Sequence, residues 1–197
     1  LGEELDIPSI GVVSPGANVV VKEKKNKKIG IIGTETTVKS QMYVKLIQQL
    51  EPEAEVLGKA CPLFVPLVEE GWTKDPVTEE VARRYLTDLQ KSDIDTLILG
   101  CTHYPLIRKT IGRAAGDMIS LINPAYETAM ELRQMLGEMN LLADHRPALG
   151  STVPQYRFYV SDMAEQFQQF ANSIIKYGIL ASEKIDIYNY SGKPFSA

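Results

Sequence analysis

A chain of 197 residues, 44% apolar and 23% charged, can bury one substantial core or two smaller ones, and its composition excludes the disordered and fibrous classes. Its formal charge of −4 offers nucleic acid no electrostatic attraction, no apolar run approaches bilayer-spanning length, and Leu1-Gly2-Glu3-Glu4-Leu5-Asp6 lacks the basic and apolar regions of a signal peptide. Two cysteines, Cys61 and Cys101, make no disulfide framework, so the expectation is a cytoplasmic protein with reduced thiols whose interest is chemical.

The first candidate element is a strand from Ile7 to Ser14, with Pro15-Gly16 turning the chain after it. The basic run from Lys22 to Lys28 has no interleaved aromatics and reads as a solvated turn. Lys28 to Thr34 is an apolar strand. Its Gly30 and Gly33 do not make a dinucleotide fingerprint, because the third glycine and the acidic ribose partner are missing. Val38 to Leu50 carries Val38, Met42, Leu46, Ile47 and Leu50 at helical spacing. Ala54 to Ala60 reads as a third strand, followed by Cys61-Pro62 and a loop, Leu63 to Gly71, whose prolines break any long helix.

Asp75-Pro76-Val77-Thr78 opens a helix with Thr78 as its expected cap and Val81, Tyr85, Leu86 and Leu89 along one face. Asp95 to Gly100 is a buried strand, Pro105 to Ala115 a helix stopped by Gly116, and Met118 to Ile122 another strand. Pro124 starts a long helix through Met139. After an irregular connection from Leu141 to Pro154, Gln155 to Val160 is a strand, and Ser161-Asp162 is placed to cap a helix from Met163 to Tyr177. Residues 179–197 are weakly patterned. Regular alternation of strand and helix argues for an α/β fold: a parallel sheet in a three-layer α/β/α arrangement.

In such a sheet Ser14, Thr34, Cys61, Cys101 and Asn123, each following an apolar run, would share one edge, where open α/β sheets bind ligands. The most informative stretch is Gly100-Cys101-Thr102-His103-Tyr104-Pro105. A strand ends there in a thiol, a hydroxyl and an imidazole, facing a helix N-terminus that favours a thiolate. A reactive Cys101 is the first hypothesis; a small buried thiol is the other reading of the same residue. Either Glu69 or Glu70 could orient His103 if the loop returns to the crevice, and a solvated helix end is the alternative. Cys61, with no acid or base beside it, reads as structural, and His145 as exposed. These two cysteines and two histidines lack the paired close spacing of a zinc site, so no metal is expected.

The segment from Gly100 to Pro105, together with Gly11 to Gly16, Ile29 to Thr34 with Thr37, Val38 and Ser40, Ala60 to Glu69, and Tyr156 to Val160, resembles in order the segments of bacterial glutamate racemases, of the cofactor-independent aspartate/glutamate racemase superfamily. That resemblance implies 1,1-proton transfer at the α-carbon of glutamate without pyridoxal phosphate or any other cofactor. Two cysteines on opposite faces of the substrate would carry it, supplying D-glutamate for peptidoglycan. It implies Cys101 as one of the pair, His103 as its assistant, Glu69 as support for His103, and Thr102, Thr34 and Thr37 as substrate contacts. Cys61 matches a non-catalytic cysteine. The implied partner is glutamate alone, with no nucleic acid or membrane, and a homodimer is compatible with it.

The same family carries an Asp-Ser pair after its first strand and the partner cysteine in an Asn-Thr setting, and neither occurs here. The expectation is therefore that this sequence begins downstream of that cysteine and is inactive alone. Residues 1–123 would form a racemase-type α/β domain, and residues 124–197 would pack back on the missing amino-terminal domain. At Asn123 the family usually has an acidic residue. Two other readings remain: a racemase or relative acting on another acid, or a non-catalytic binding module.

Overall fold

The computed structural model describes residues 8–22, 28–142, 157–175 and 182–186. The expectations for the opening residues, the basic run over 23–27, His145 and its connection, and the final residues lie outside these. The chain divides into two compact units, Leu1–Leu142 and Ala143–Ala197. The helix Pro124–Glu138, expected to open the carboxyl-terminal segment, thus falls within the first unit.

In the first unit β1 (Lys28–Gly33), β2 (Glu55–Ala60), β3 (Thr96–Leu99) and β4 (Ser120–Ile122) form one parallel sheet in the order β2-β1-β3-β4. The chain leaves β1 toward β2, then crosses back to β3 on the other side. The carboxyl ends of β1 and β3 therefore flank a topological switch point, the place where open α/β sheets bind ligands. Two outward backbone bonds extend the ladder there: Gly100 N–H donates to the Ile32 carbonyl at 2.7 Å and Cys61 N–H to the Gly33 carbonyl at 2.9 Å.

Helices cover both faces. On one, Ala17 and Val20 of α1 (Val13–Lys22) and Tyr43 and Ile47 of α3 (Met42–Leu50) pack with Ile29, Ile31, Ile98 and Ile122. On the other, Gly30 faces Leu89 of α5 (Pro76–Lys91), Ile94 and Leu97; a Cβ at Gly30 would lie 2.6 Å from Ile94 Cδ1. Burial on both sides explains why Leu97, Ile98 and Leu99 run apolar without alternation. At about 2 kcal/mol for each such side chain, β3 is well anchored despite its four residues. The parallel α/β architecture is thus as expected.

Several local expectations are corrected. No strand forms at Pro8–Val12. The apolar positions Val13, Ala17 and Val20 repeat at helical spacing and build α1, with Pro15 in its first turn where no amide is needed and Gly16 letting Pro124 approach. Ser14 therefore sits exposed on a helix rather than at a strand end. The helix foreseen over Val38 to Leu50 is two, α2 (Glu35–Ser40) and α3, divided at Gln41, whose φ of 56° is left-handed. The Pro-containing loop holds a short helix, α4 (Phe64–Glu69), because Pro66 occupies its first turn. Asp75, not Thr78, caps α5: its Oδ1 accepts from Val77 N–H at 2.8 Å, while the fully buried Thr78 hydroxyl donates to the Trp72 carbonyl at 2.6 Å. The segment after Cys101 enters a 3-10 turn, Tyr104–Ile107, before α6 (Arg108–Ala115), which ends at Gly116 with φ 91°. Asn123 caps α7 (Pro124–Glu138), accepting from Ala125 N–H at 3.1 Å.

The second unit pairs β5 (Phe158–Val160) with β6 (Ser182–Lys184) in parallel, beside α8 (Ala164–Ile174). The expected Ser161-Asp162 cap is absent. Met163, with φ 50°, takes the cap position, and Asp162 instead pairs with Lys184 at 2.7 Å.

Candidate active site

Two glycines set the close approach at the switch point. A Cβ on Gly100 would lie 2.9 Å from the Ile32 carbonyl oxygen, and one on Gly33 would lie 3.0 Å from Thr37 Cβ. Only bare backbone lets β1, β3 and the first turn of α2 come this close. Thr34 caps α2, its Oγ1 accepting from Thr37 N–H at 3.3 Å and standing 3.0 Å from Thr37 Oγ1. Two hydroxyls thus meet beside the end of β1.

Beside the end of β3, Cys101 Sγ is 3.9 Å from His103 Nδ1, and Thr102 Oγ1 is 3.3 Å from the same nitrogen. On the far side of the ring, Nε2 lies 3.3 Å from Glu69 Oε1, at the end of α4. Of the two acids considered for this contact, Glu69 is the one that makes it. An ionised carboxylate only accepts, so Glu69 keeps the proton on Nε2 and leaves Nδ1 to accept from the Cys101 thiol or the Thr102 hydroxyl. If the thiol proton moves to Nδ1, Glu69 faces the resulting imidazolium. This is the arrangement by which an oriented imidazole activates a nucleophile or a proton carrier. Cys101 and His103 are half-buried, Thr102 and Glu69 exposed, so solutes reach the cluster.

The expected residues therefore fall in two groups beside adjacent strand ends: Thr34 with Thr37, and Cys101, Thr102 and His103 with Glu69. Cys61 lies apart in chemistry. It is fully buried, its Sγ faces the Lys59 carbonyl at 3.7 Å, and burial pushes its thiol up to about 12. Asn123 is engaged in capping. Among the described residues no three His, Cys, Asp or Glu side chains are arranged to hold a metal ion, and no helix is long and apolar enough to cross a membrane.

Reading the sequence passed over Tyr104 and the Gly33–Gly100 approach. Tyr104 is fully buried, donates its hydroxyl to the Cys61 carbonyl at 2.8 Å, and stacks edge-on against Phe64 with ring centres 5.2 Å apart. The signal for the glycine was available: the apolar run Leu97 to Leu99 ends in a residue without a side chain.

A parallel sheet with an acid–base cluster at its switch point defines an α/β protein of the class whose chemistry sits on strand-end connections. Comparison narrows this. The profile of the Asp/Glu/hydantoin racemase family matches residues 1–132, and the chain belongs to that family. It is 41% identical over 175 residues to a glutamate racemase of Geobacter metallireducens, covering 89% of this chain and 63% of that protein. Among solved structures it is similar to a glutamate racemase isoform of Bacillus anthracis, with TM-score 0.83 and 37% identity over 94% of this chain and 67% of that one. It is also similar to the glutamate racemase of Francisella tularensis in complex with D-glutamate, with TM-score 0.79 and 32% identity over 91% of this chain and 64% of that one. The chain spans slightly less than two-thirds of the length of the Geobacter protein.

Proposed function

We propose that this chain supplies one half-site of a glutamate racemase, an isomerase that interconverts L- and D-glutamate by cofactor-independent 1,1-proton transfer in the cytoplasm and provides D-glutamate for peptidoglycan. The observation that carries the reading is the Cys101–His103–Glu69 chain, with separations of 3.9 and 3.3 Å, next to the Thr34–Thr37 hydroxyl pair. The names of the relatives and the D-glutamate in the Francisella complex support the substrate.

In this reading the Cys101 thiolate and thiol exchange a proton with one face of the α-carbon. His103 takes up or returns the thiol proton, and Glu69 steadies the imidazolium. Thr34, Thr37 and Thr102 donate to the amino acid's carboxylate as charge builds on the planar intermediate. Inversion needs a second acid–base group on the opposite face. Cys61, the one other thiol in the sequence, is buried and held as a thiol, so it does not supply that group.

The test is L-glutamate in deuterated water, followed by proton NMR for loss of the α-proton and by circular dichroism for loss of optical activity. The complete gene product exchanges and racemises; the 197-residue chain alone does neither. Racemisation by the isolated chain sinks the division between half-sites. Exchange of aspartate or another amino acid in place of glutamate by the complete product sinks the substrate.

A further inference from the structure

Tyr104 joins the two connections that carry the acid–base cluster. Its hydroxyl donates to the Cys61 carbonyl at 2.8 Å, and that carbonyl oxygen also accepts from Phe64 N–H, at the start of α4, at 3.2 Å. α4 ends at Glu69, which reaches back to His103, the residue immediately before Tyr104. The path from Tyr104 through Cys61, α4 and Glu69 to His103 is thus closed. We propose that Tyr104 is a positioning residue: by fixing the Cys61 carbonyl it sets where α4 begins, and so holds the Glu69 carboxylate against the His103 ring.

The alternative, that Tyr104 only fills the core, does not account for its oxygen. A phenylalanine ring would pack edge-on against Phe64 just as well. Burying a hydroxyl is unfavourable unless it is bonded, and here it bonds a carbonyl that Phe64 N–H already serves. The hydroxyl therefore adds a constraint between two connections, not a partner for an orphaned group. Burial also raises the Tyr104 hydroxyl above its usual range, so it remains a donor. The inference rests on the reading of Cys101, His103 and Glu69 as a working cluster, and is independent of which amino acid is the substrate.

The experiment is a double-mutant cycle read by the rate at which iodoacetamide alkylates Cys101 in the purified chain at neutral pH, with the labelled cysteine identified by peptide mass. Glu69→Gln and Tyr104→Phe each slow labelling by about three- to tenfold, and the double variant is no slower than the slower single one. Ile47→Val, a core change on the other sheet face, matches Tyr104→Phe for loss of thermal stability without slowing Cys101. Labelling of Tyr104→Phe within twofold of the parent, effects that multiply in the double variant, no slowing in Glu69→Gln, or equal slowing in Ile47→Val would each overturn the proposal. Substrate identity is scored separately by α-proton exchange. A coupled cluster that exchanges some acid other than glutamate discards the glutamate reading and leaves the role of Tyr104 standing.

Discussion

Cys61 and Cys101 follow strands of one parallel sheet, on the same edge, on either side of β1. Their surroundings are nevertheless opposite. After β2 the chain turns at once into α4, and Phe64 and Tyr104 are buried with Cys61, whose thiol is pushed up to about 12. After β3 it makes a polar turn that leaves Cys101 half-buried beside an imidazole backed by a carboxylate. A strand end offers a position, and the connection that follows decides whether a thiol there is packed away or left within reach of an imidazole and a carboxylate.

Exchanging the two thiols for alanine tests this difference most severely. On the proposed racemase reading, Cys101→Ala should lower α-proton exchange by the complete gene product about 10²- to 10⁴-fold, the usual worth of a positioned acid–base group, whereas Cys61→Ala should keep turnover within a few-fold and lose about 1 kcal/mol of stability in urea melts. Comparable activity losses in both would erase the distinction.

Labelling sharpens it further. Because only the thiolate reacts, the shift of Cys61 from 9.0 to about 12 should slow its alkylation in the folded protein roughly a thousandfold below its rate in urea at mildly alkaline pH. The same shift makes a stability prediction. Below pH 9 the thiol is neutral in both states; above it the unfolded chain ionises first, so stability falls between about 9 and 12. Tyr43, raised from 10.0 to about 12 by burial, adds to the loss over the upper part of that window. Urea midpoints that stay flat from pH 8 to 11 would contradict it.

Gly100→Ala probes the close approach of the β3 end to β1. With 2.9 Å to the Ile32 carbonyl, the clash is with backbone that cannot swing aside, and a cost of about 1–3 kcal/mol is expected in urea denaturation. The smallest change is expected at Asn123→Ala. There another strand end serves only as a helix cap, so about 1 kcal/mol of stability should go while Cys101 labelling stays unchanged.

Much of the sheet is legible in the sequence because the middles of β1 and β3 are buried on both faces and carry no polar side chain, as Ile29 to Ile32 and Leu97 to Leu99 show. The helix boundaries are less so. Prolines at positions 15 and 66 suggest breaks, but in a first turn they cost nothing, and Gln41 adopts a left-handed conformation that its residue type does not advertise. At the site, Cys101 and His103 are neighbours in sequence and stand out together. The meeting of Glu69 with His103 depends on where α4 starts, and Tyr104 is concealed because a buried tyrosine looks like any core aromatic until its hydroxyl partner is seen.

The sheet order also governs when the site can exist. Strand β1 pairs with β3, so Ile29 must find Thr96 across the whole intervening β2 excursion before Thr34 and Cys101 stand near each other. Such distant parallel pairing is slow to form, since a long loop must close before any contact rewards it. Among the described residues every strand pairing is parallel, so no local hairpin presents the cluster early, and the Cys101–His103–Glu69 arrangement should mature only at the end of folding.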